Sequence, residues 1–262
     1  MTGQVDVHHT IEGPPDAPIV ILAHALGTST EMWDPQLPAL AQTFRVVRYD
    51  HRGHGRSPVP AGPYTIADLG GDLVRLMDRL RIERASLCGL SLGAMTVLWV
   101  AAHAPERVDR LVACATLARP PSPEAWAERA VIVRRDGIAA IADLVVDRWG
   151  YRDRNLKIEA FIRRQLLATP AEGYAGCCDA IRTMDLEPDL GAIRAPTLLL
   201  AGSVDPAAPP DGMRALREAL ATPQAQLQVV PDAAHLLNVE RPDIVATALA
   251  DHLSSLEIGR PA

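Results

Sequence analysis

This sequence predicts an α/β architecture: a mostly parallel sheet flanked by helices, with a helical cap inserted in the second half of the fold. Three observations carry that prediction. Short apolar runs of strand length alternate with longer segments of helical period, the pattern of a parallel sheet covered on both faces. The alternation stops at Ala118-Arg119-Pro120-Pro121-Ser122-Pro123 and resumes after Pro188, with only helical segments between. A Gly-x-Ser-x-Gly stretch, Gly89 to Gly93, lies between a strand-like and a helix-like segment, so Ser91 falls on a sharp turn.

Taken in order, Ile19 to Ala23 follows Pro18 as a continuous apolar run and reads as a buried strand, with His24-Ala25-Leu26-Gly27 at its end. Arg45 to Tyr49 is the next strand and runs into the turn-rich loop Asp50 to Ser57. Thr65 is placed to cap a helix whose stripe is Ile66, Leu69, Leu73, Leu76, Met77 and Leu80. Ala85 to Cys88 is a buried strand, and Leu92 to His103 is Ala-, Leu- and Val-rich with a glycine only at its start, as in a buried helix. Val108 to Cys114 is a further strand. The insert holds four helical segments, Pro123 to Arg135, Ile138 to Arg148, Lys157 to Thr169 and Ala171 to Met184. Strand Thr197 to Ala201, a helix near Asp211 to Ala219, strand Leu227 to Val230 and a helix from Pro242 to about Ser254 complete the alternation. The expected organisation is a core of residues 1–118 and 189–262 with a cap of residues 119–188.

Composition narrows the function classes. A hydrophobic content of 48% over 262 residues supports one sizeable core. A net charge of −6 argues against nucleic acid as a partner, and no apolar run has the length of a membrane span. Met1 to Gly13 is polar and lacks the apolar core of a signal peptide, so a cytoplasmic protein is expected. Cys88 and Cys114 fall in apparent buried strands, and Cys177 and Cys178 are adjacent. That spacing indicates neither a disulfide framework nor a metal site. Oligomeric state stays open.

A serine nucleophile needs a base, and the base needs an orienting acid. Strand Thr197 to Ala201 runs into Gly202-Ser203-Val204-Asp205, and strand Leu227 to Val230 runs into Pro231-Asp232-Ala233-Ala234-His235. Both loops leave the carboxyl ends of strands, where parallel sheets place their sites. Ser91, Asp205 and His235 are the candidate catalytic triad. Asp232 is too near His235 in sequence for the usual geometry and reads as a turn residue. His24 and His54 read as structural hydrogen-bonding groups. The oxyanion hole calls for two backbone N–H groups, one from Leu92 after the nucleophile and one from Leu26 after the early strand.

The stretches His24 to Gly27, Asp50-x-Arg52-Gly53-His54-Gly55-x-Ser57, Gly89 to Gly93, Gly202-x-x-Asp205-x-x-x-Pro209 and His235-x-x-x-x-Glu240-x-Pro242 together resemble the α/β-hydrolase superfamily over nearly the whole chain. Within it, Leu26-Gly27-Thr28 with Met32-Trp33-Asp34, Phe44 to Ser57, Gly62 to Thr65, Pro123 to Ala130 and Glu172 to Ala175 with Asp179 to Ile181 resemble 3-oxoadipate enol-lactonases. The resemblance implies a hydrolase that opens a small carboxylated lactone through an acyl-enzyme, with no cofactor and no metal. A carboxylesterase or carbon–carbon bond hydrolase of the same fold would carry the same triad, and so would a ligand receptor that retained it. A carboxylated substrate implies a cationic reader. Residues 119–188 hold ten Arg and one Lys against eleven Asp and Glu, so bulk charge cannot supply it and a specific arginine must. Trp126 and Arg129, three apart on one helical face, are the first candidates for substrate binding. Trp126 packed on the core with Arg129 in solvent fits the same spacing. Arg148-Trp149 is the second candidate.

Overall fold

The six expected strands and one further edge strand form a seven-stranded sheet in a computed structural model that describes residues 3–149 and 156–254. In chain order the regular elements are β1 (His9–Glu12), β2 (Ile19–Ala23), α1 (Leu37–Leu40), β3 (Arg45–Tyr49), α2 (Ile66–Arg79), β4 (Ala85–Leu90), α3 (Leu92–His103), β5 (Val108–Cys114), α4 (Pro123–Asp136), α5 (Ala142–Arg148), α6 (Leu156–Ala168), α7 (Ala171–Thr183), β6 (Thr197–Gly202), α8 (Pro210–Ala219), β7 (Ala225–Val230), α9 (Leu237–Glu240) and α10 (Pro242–Ser254). The sheet order is β1-β3-β2-β4-β5-β6-β7. Only the β1–β3 pair is antiparallel.

β4 lies between β2 and β5 with all six residues buried, which is why its sequence is apolar without alternation. α3 follows directly and packs on β4, β5, β2 and α2. Its burial on nearly every side explains an apolar sequence with no polar face. α2 shows the opposite pattern, a polar face and a buried stripe of Ile66, Leu69, Leu73, Leu76 and Met77. The Thr65 side chain accepts the Asp68 N–H and the Asp68 carboxylate accepts the Thr65 N–H, a reciprocal cap at its first turn.

β1 is not among the strands expected from the sequence. It is an edge strand with no fully buried residue, so no apolar run marks it. The segment Ile138 to Arg148 is not one helix. A 3-10 turn, Ile138–Ala140, precedes α5, and Ile141 at φ −118° separates the two.

Between β5 and β6 the described residues form only helices, α4 to α7, and short 3-10 turns. The ends of this stretch meet where Leu186 N–H donates to Ala118 O at 2.9 Å. α4 packs on α7, and Arg134 clips them by reaching Glu172 at 2.9 Å and Asp179 at 2.8 Å. Glu172 also accepts the Gly62 N–H at 2.9 Å, which ties α7 to the loop before α2. Among the described residues no helix is long and apolar enough to cross a membrane.

Candidate active site

Ser91 sits between β4 and α3 at φ 54°, ψ −114°, a conformation costly for a residue with a Cβ. Two glycines permit it. A Cβ on Gly89 would lie 2.3 Å from the Gly93 carbonyl carbon, and one on Gly93 would lie 2.2 Å from Ala23 O. The turn closes against β5, where Cys114 O accepts the Ser91 N–H at 2.9 Å. The backbone is thereby locked, and the hydroxyl stands clear of the sheet.

Asp205 and His235 reach Ser91 from the ends of β6 and β7. Ser91 Oγ lies 3.0 Å from His235 Nε2, and His235 Nδ1 lies 2.9 Å from Asp205 Oδ2. A carboxylate only accepts, so Nδ1 carries the proton and Nε2 is free to accept from the serine. Burial would push the Asp205 pKa up. The His235 charge, the His235 hydrogen bond and the Ala207 and Ala208 N–H groups together outweigh it, and the group titrates below its ordinary value. The two loops also hold each other. Val204 N–H donates to Ala233 O at 3.0 Å, and Asp232 N–H donates to Ser203 Oγ at 2.9 Å. Asp232 itself turns the chain at φ 49° and stays outside the Ser91–His235–Asp205 chain of hydrogen bonds.

Leu26 and Ser91 line one cavity, and Leu92 starts α3 beside Ser91. The loop that carries Leu26 is held from behind, because His54 Nε2 accepts the Gly27 N–H at 3.0 Å. His54 Nδ1–H donates to Arg52 O at 3.2 Å, which fixes the tautomer. His24 bridges in the same way, with Nδ1–H to Ala25 O at 2.8 Å and Nε2 accepting His51 N–H at 3.0 Å. Burial lowers the pKa of all three histidines, that of His54 to about 3, so they are neutral scaffolding.

The cavity above Ser91 is open-mouthed, with about 600 Å³ of empty space counted together with its mouth. Trp126 and Arg129 both line it, with the Arg129 guanidinium 4.6 Å from the Trp126 ring centre. Arg129 is 9% exposed, so it is not a solvated surface residue. Arg148 lines the same cavity. Arg119, Arg134, Arg135, Arg163, Arg164 and Arg182 each lie within 3.7 Å of a carboxylate oxygen. Among the described residues Arg129 and Arg148 have no such partner, and these are the two that face the cavity. Trp149, Tyr174, Met95 and Leu117 complete much of the apolar wall. Of these four only Trp149, beside Arg148, is a candidate from the sequence; the others meet it only where α3, α7, the end of α5 and the loop after β5 pack together. Among the described residues no cluster of His, Cys, Asp and Glu is placed to hold a metal ion.

Comparison with known proteins bears on the fold and the family. A family profile described as the alpha/beta hydrolase fold matches residues 18–137 and 139–242. The chain is 36% identical over 241 residues to 3-oxoadipate enol-lactonase 2 of Acinetobacter baylyi, covering 91% of this chain and 89% of that protein. It is 34% identical over 265 residues to a protein of Caulobacter sp. strain K31 that carries the provisional name carbamate hydrolase RutD, covering 97% and 98%. The crystal structure of the enol-lactonase from Burkholderia xenovorans LB400 superposes with a TM-score of 0.91 at 42% identity, covering 96% of this chain and 97% of that one. With the fold, the profile and these relatives in agreement, the chain belongs to the α/β-hydrolase fold family.

Proposed function

We propose that this protein is a serine hydrolase that opens the ring of a small carboxylated enol-lactone, 3-oxoadipate enol-lactone, to give 3-oxoadipate. Residues 119–188 act as the cap over the core of residues 1–118 and 189–262. The observation that carries the substrate assignment is Arg129. It is buried in the cavity wall, stacked on Trp126, and has no carboxylate partner among the described residues. A buried cation without a counter-ion is costly, and a substrate carboxylate removes that cost. The likeness to the enol-lactonases supports the same reading.

In this mechanism Ser91 Oγ attacks the lactone carbonyl while His235 Nε2 takes its proton. Asp205 holds the imidazole in the right tautomer and stabilises its charged form. The N–H groups of Leu26 and Leu92 receive the oxyanion. Collapse of the tetrahedral intermediate breaks the ring C–O bond. The enol oxygen leaves, takes the proton from His235, and tautomerises to a ketone, which makes it a good leaving group. Water, deprotonated by His235, then attacks the acyl-enzyme and frees the carboxylate product and Ser91. The chemistry uses no cofactor or metal.

A second reading, hydrolysis of a carbamate, is favoured by the 34% identity to the provisional carbamate hydrolase. Steady-state assays of the purified protein on the enol-lactone, a carbamate and a neutral phenyl ester separate the two. Preference for the carbamate overturns the lactone assignment and leaves the triad standing. Absence of multiple turnovers on any of the three overturns the enzyme reading in favour of a ligand-binding protein.

A further inference from the structure

α5 ends in Arg148 and Trp149, and these neighbours touch the two halves of the site. The Arg148 side chain lines the cavity, while the Trp149 carbonyl accepts the backbone N–H of His235 at 3.3 Å. The Trp149 ring also lies 6.0 Å from the His235 ring. Elsewhere in the turn before His235, backbone donors are met from the core. Asp232 N–H goes to Ser203 Oγ, and Ala234 N–H goes to Glu240 Oε2 at 2.8 Å. Of these three donors, that of His235 alone is met from the helices between β5 and β6.

Arg148 sits where a bare cation is disfavoured. Burial pushes its pKa down, the positive charge of Arg129 pushes it further, and Tyr174 and the Asp205 carboxylate offset this only in part. Neither guanidinium has a carboxylate partner among the described residues. An anion between them relieves both the desolvation and the repulsion, and it fixes the end of α5 from which the Trp149 carbonyl projects.

We propose that Arg148 is a specificity-determining and positioning residue: a substrate carboxylate seated on it orders the end of α5, and the Trp149 carbonyl passes that order to His235. The inference rests on the carboxylate-binding part of the reading above. Its consequence is that the charge of the substrate contributes to kcat as well as to KM, because it raises the fraction of enzyme with its base in place. Linkage makes the effect reciprocal, so a small carboxylate supplied separately should act in the same way.

The test uses a substrate without a carboxylate. Phenyl acetate turnover is measured in potassium propionate and in potassium chloride at equal ionic strength. Propionate should raise kcat on the order of fivefold with little change in KM. Arg148→Met should abolish that response, and Arg148→Lys, which keeps the charge and loses the fork, should retain part of it. Amide exchange at His235, followed in Ser91→Ala so that turnover is absent, should slow when propionate is added. A purely competitive rise in KM, no response at all, an equal response in Arg148→Met, or unchanged exchange at His235 overturns the proposal. Failure of the lactone assignment is a separate result. An enzyme activated by propionate yet inert toward the enol-lactone keeps this inference and loses that one.

Discussion

At the scale of single residues, Ser91 is held in a left-handed conformation by neighbours that leave no room for relaxation. The Gly93 Cβ position is blocked by Ala23 O at 2.2 Å, and backbone on a central strand cannot yield cheaply. Gly93→Ala is therefore expected to lose roughly 2 kcal/mol or more of stability and most activity. Urea denaturation checks the first and ester hydrolysis the second; an unchanged midpoint would contradict the packing argument. Ser91→Ala and His235→Ala should each cost at least ~10⁴-fold in turnover, and the double variant little more, because the two act as a unit. Asp205→Asn should cost on the order of 10⁴-fold through the wrong imidazole tautomer. Near-normal turnover in that variant would mean another carboxylate orients His235. Arg129→Met is expected to lower kcat/KM for an anionic lactone by roughly 2–4 kcal/mol, the scale of breaking a buried charged pair. The loss on a neutral phenyl ester should be distinctly smaller. Equal losses on both would make Arg129 a structural support. Ser91, Asp205 and His235 were legible because each follows a strand end in the chain. Arg129 and Arg148 were legible as charges on helices. Which of the described arginines of residues 119–188 lack an acid partner was not legible, since such partners can be distant in sequence: Arg134 with Asp179, Arg164 with Glu31.

At the scale of elements, strength of pattern decided what could be read. β2 and β5 have the bounds that their apolar runs suggest, because both strands are covered on their two faces. β1 has no such run, since it lies on an edge and only pairs with β3. α9, of four residues, is too short for any periodicity. The helices α4 to α7 were visible as a break in strand–helix alternation, whereas their attachment was not. Leu186 N–H to Ala118 O closes their base, and the Arg134–Glu172–Gly62 contacts fix α7 to the core. That closure makes excision possible with a short linker, but it uncovers Leu26, Met95 and Leu117 on the cavity floor. Replacement of residues 119–188 by such a linker should therefore give a protein that aggregates, read as loss of the monodisperse peak in size-exclusion chromatography. A stable, soluble and fully active core would remove the cap from the account.

The whole molecule carries a pH dependence that sequence composition does not reveal. His24, His51 and His54 are buried around the loop that holds Leu26, and burial keeps each neutral in the fold. Their ordinary value is about 6.5. Below that pH the unfolded chain takes up protons that the folded one refuses, so stability is complete above about 6.5 and falls as the pH drops toward the folded value, about 3 for His54. The urea midpoint should thus fall steadily from pH 7 to pH 4.5; a flat midpoint would contradict neutral burial of these rings. The site at the carboxyl ends of the strands, and two cavity arginines without a carboxylate partner among the described residues, support the proposal that this molecule hydrolyses a carboxylated lactone. The most direct measurement of it is kcat/KM of the purified protein on 3-oxoadipate enol-lactone beside a neutral phenyl ester and the Ser91→Ala variant. The account predicts at least ~10⁴ M⁻¹s⁻¹ on the lactone, a lower value on the ester and loss of both in the variant. Sustained turnover of the ester with none of the lactone would contradict it.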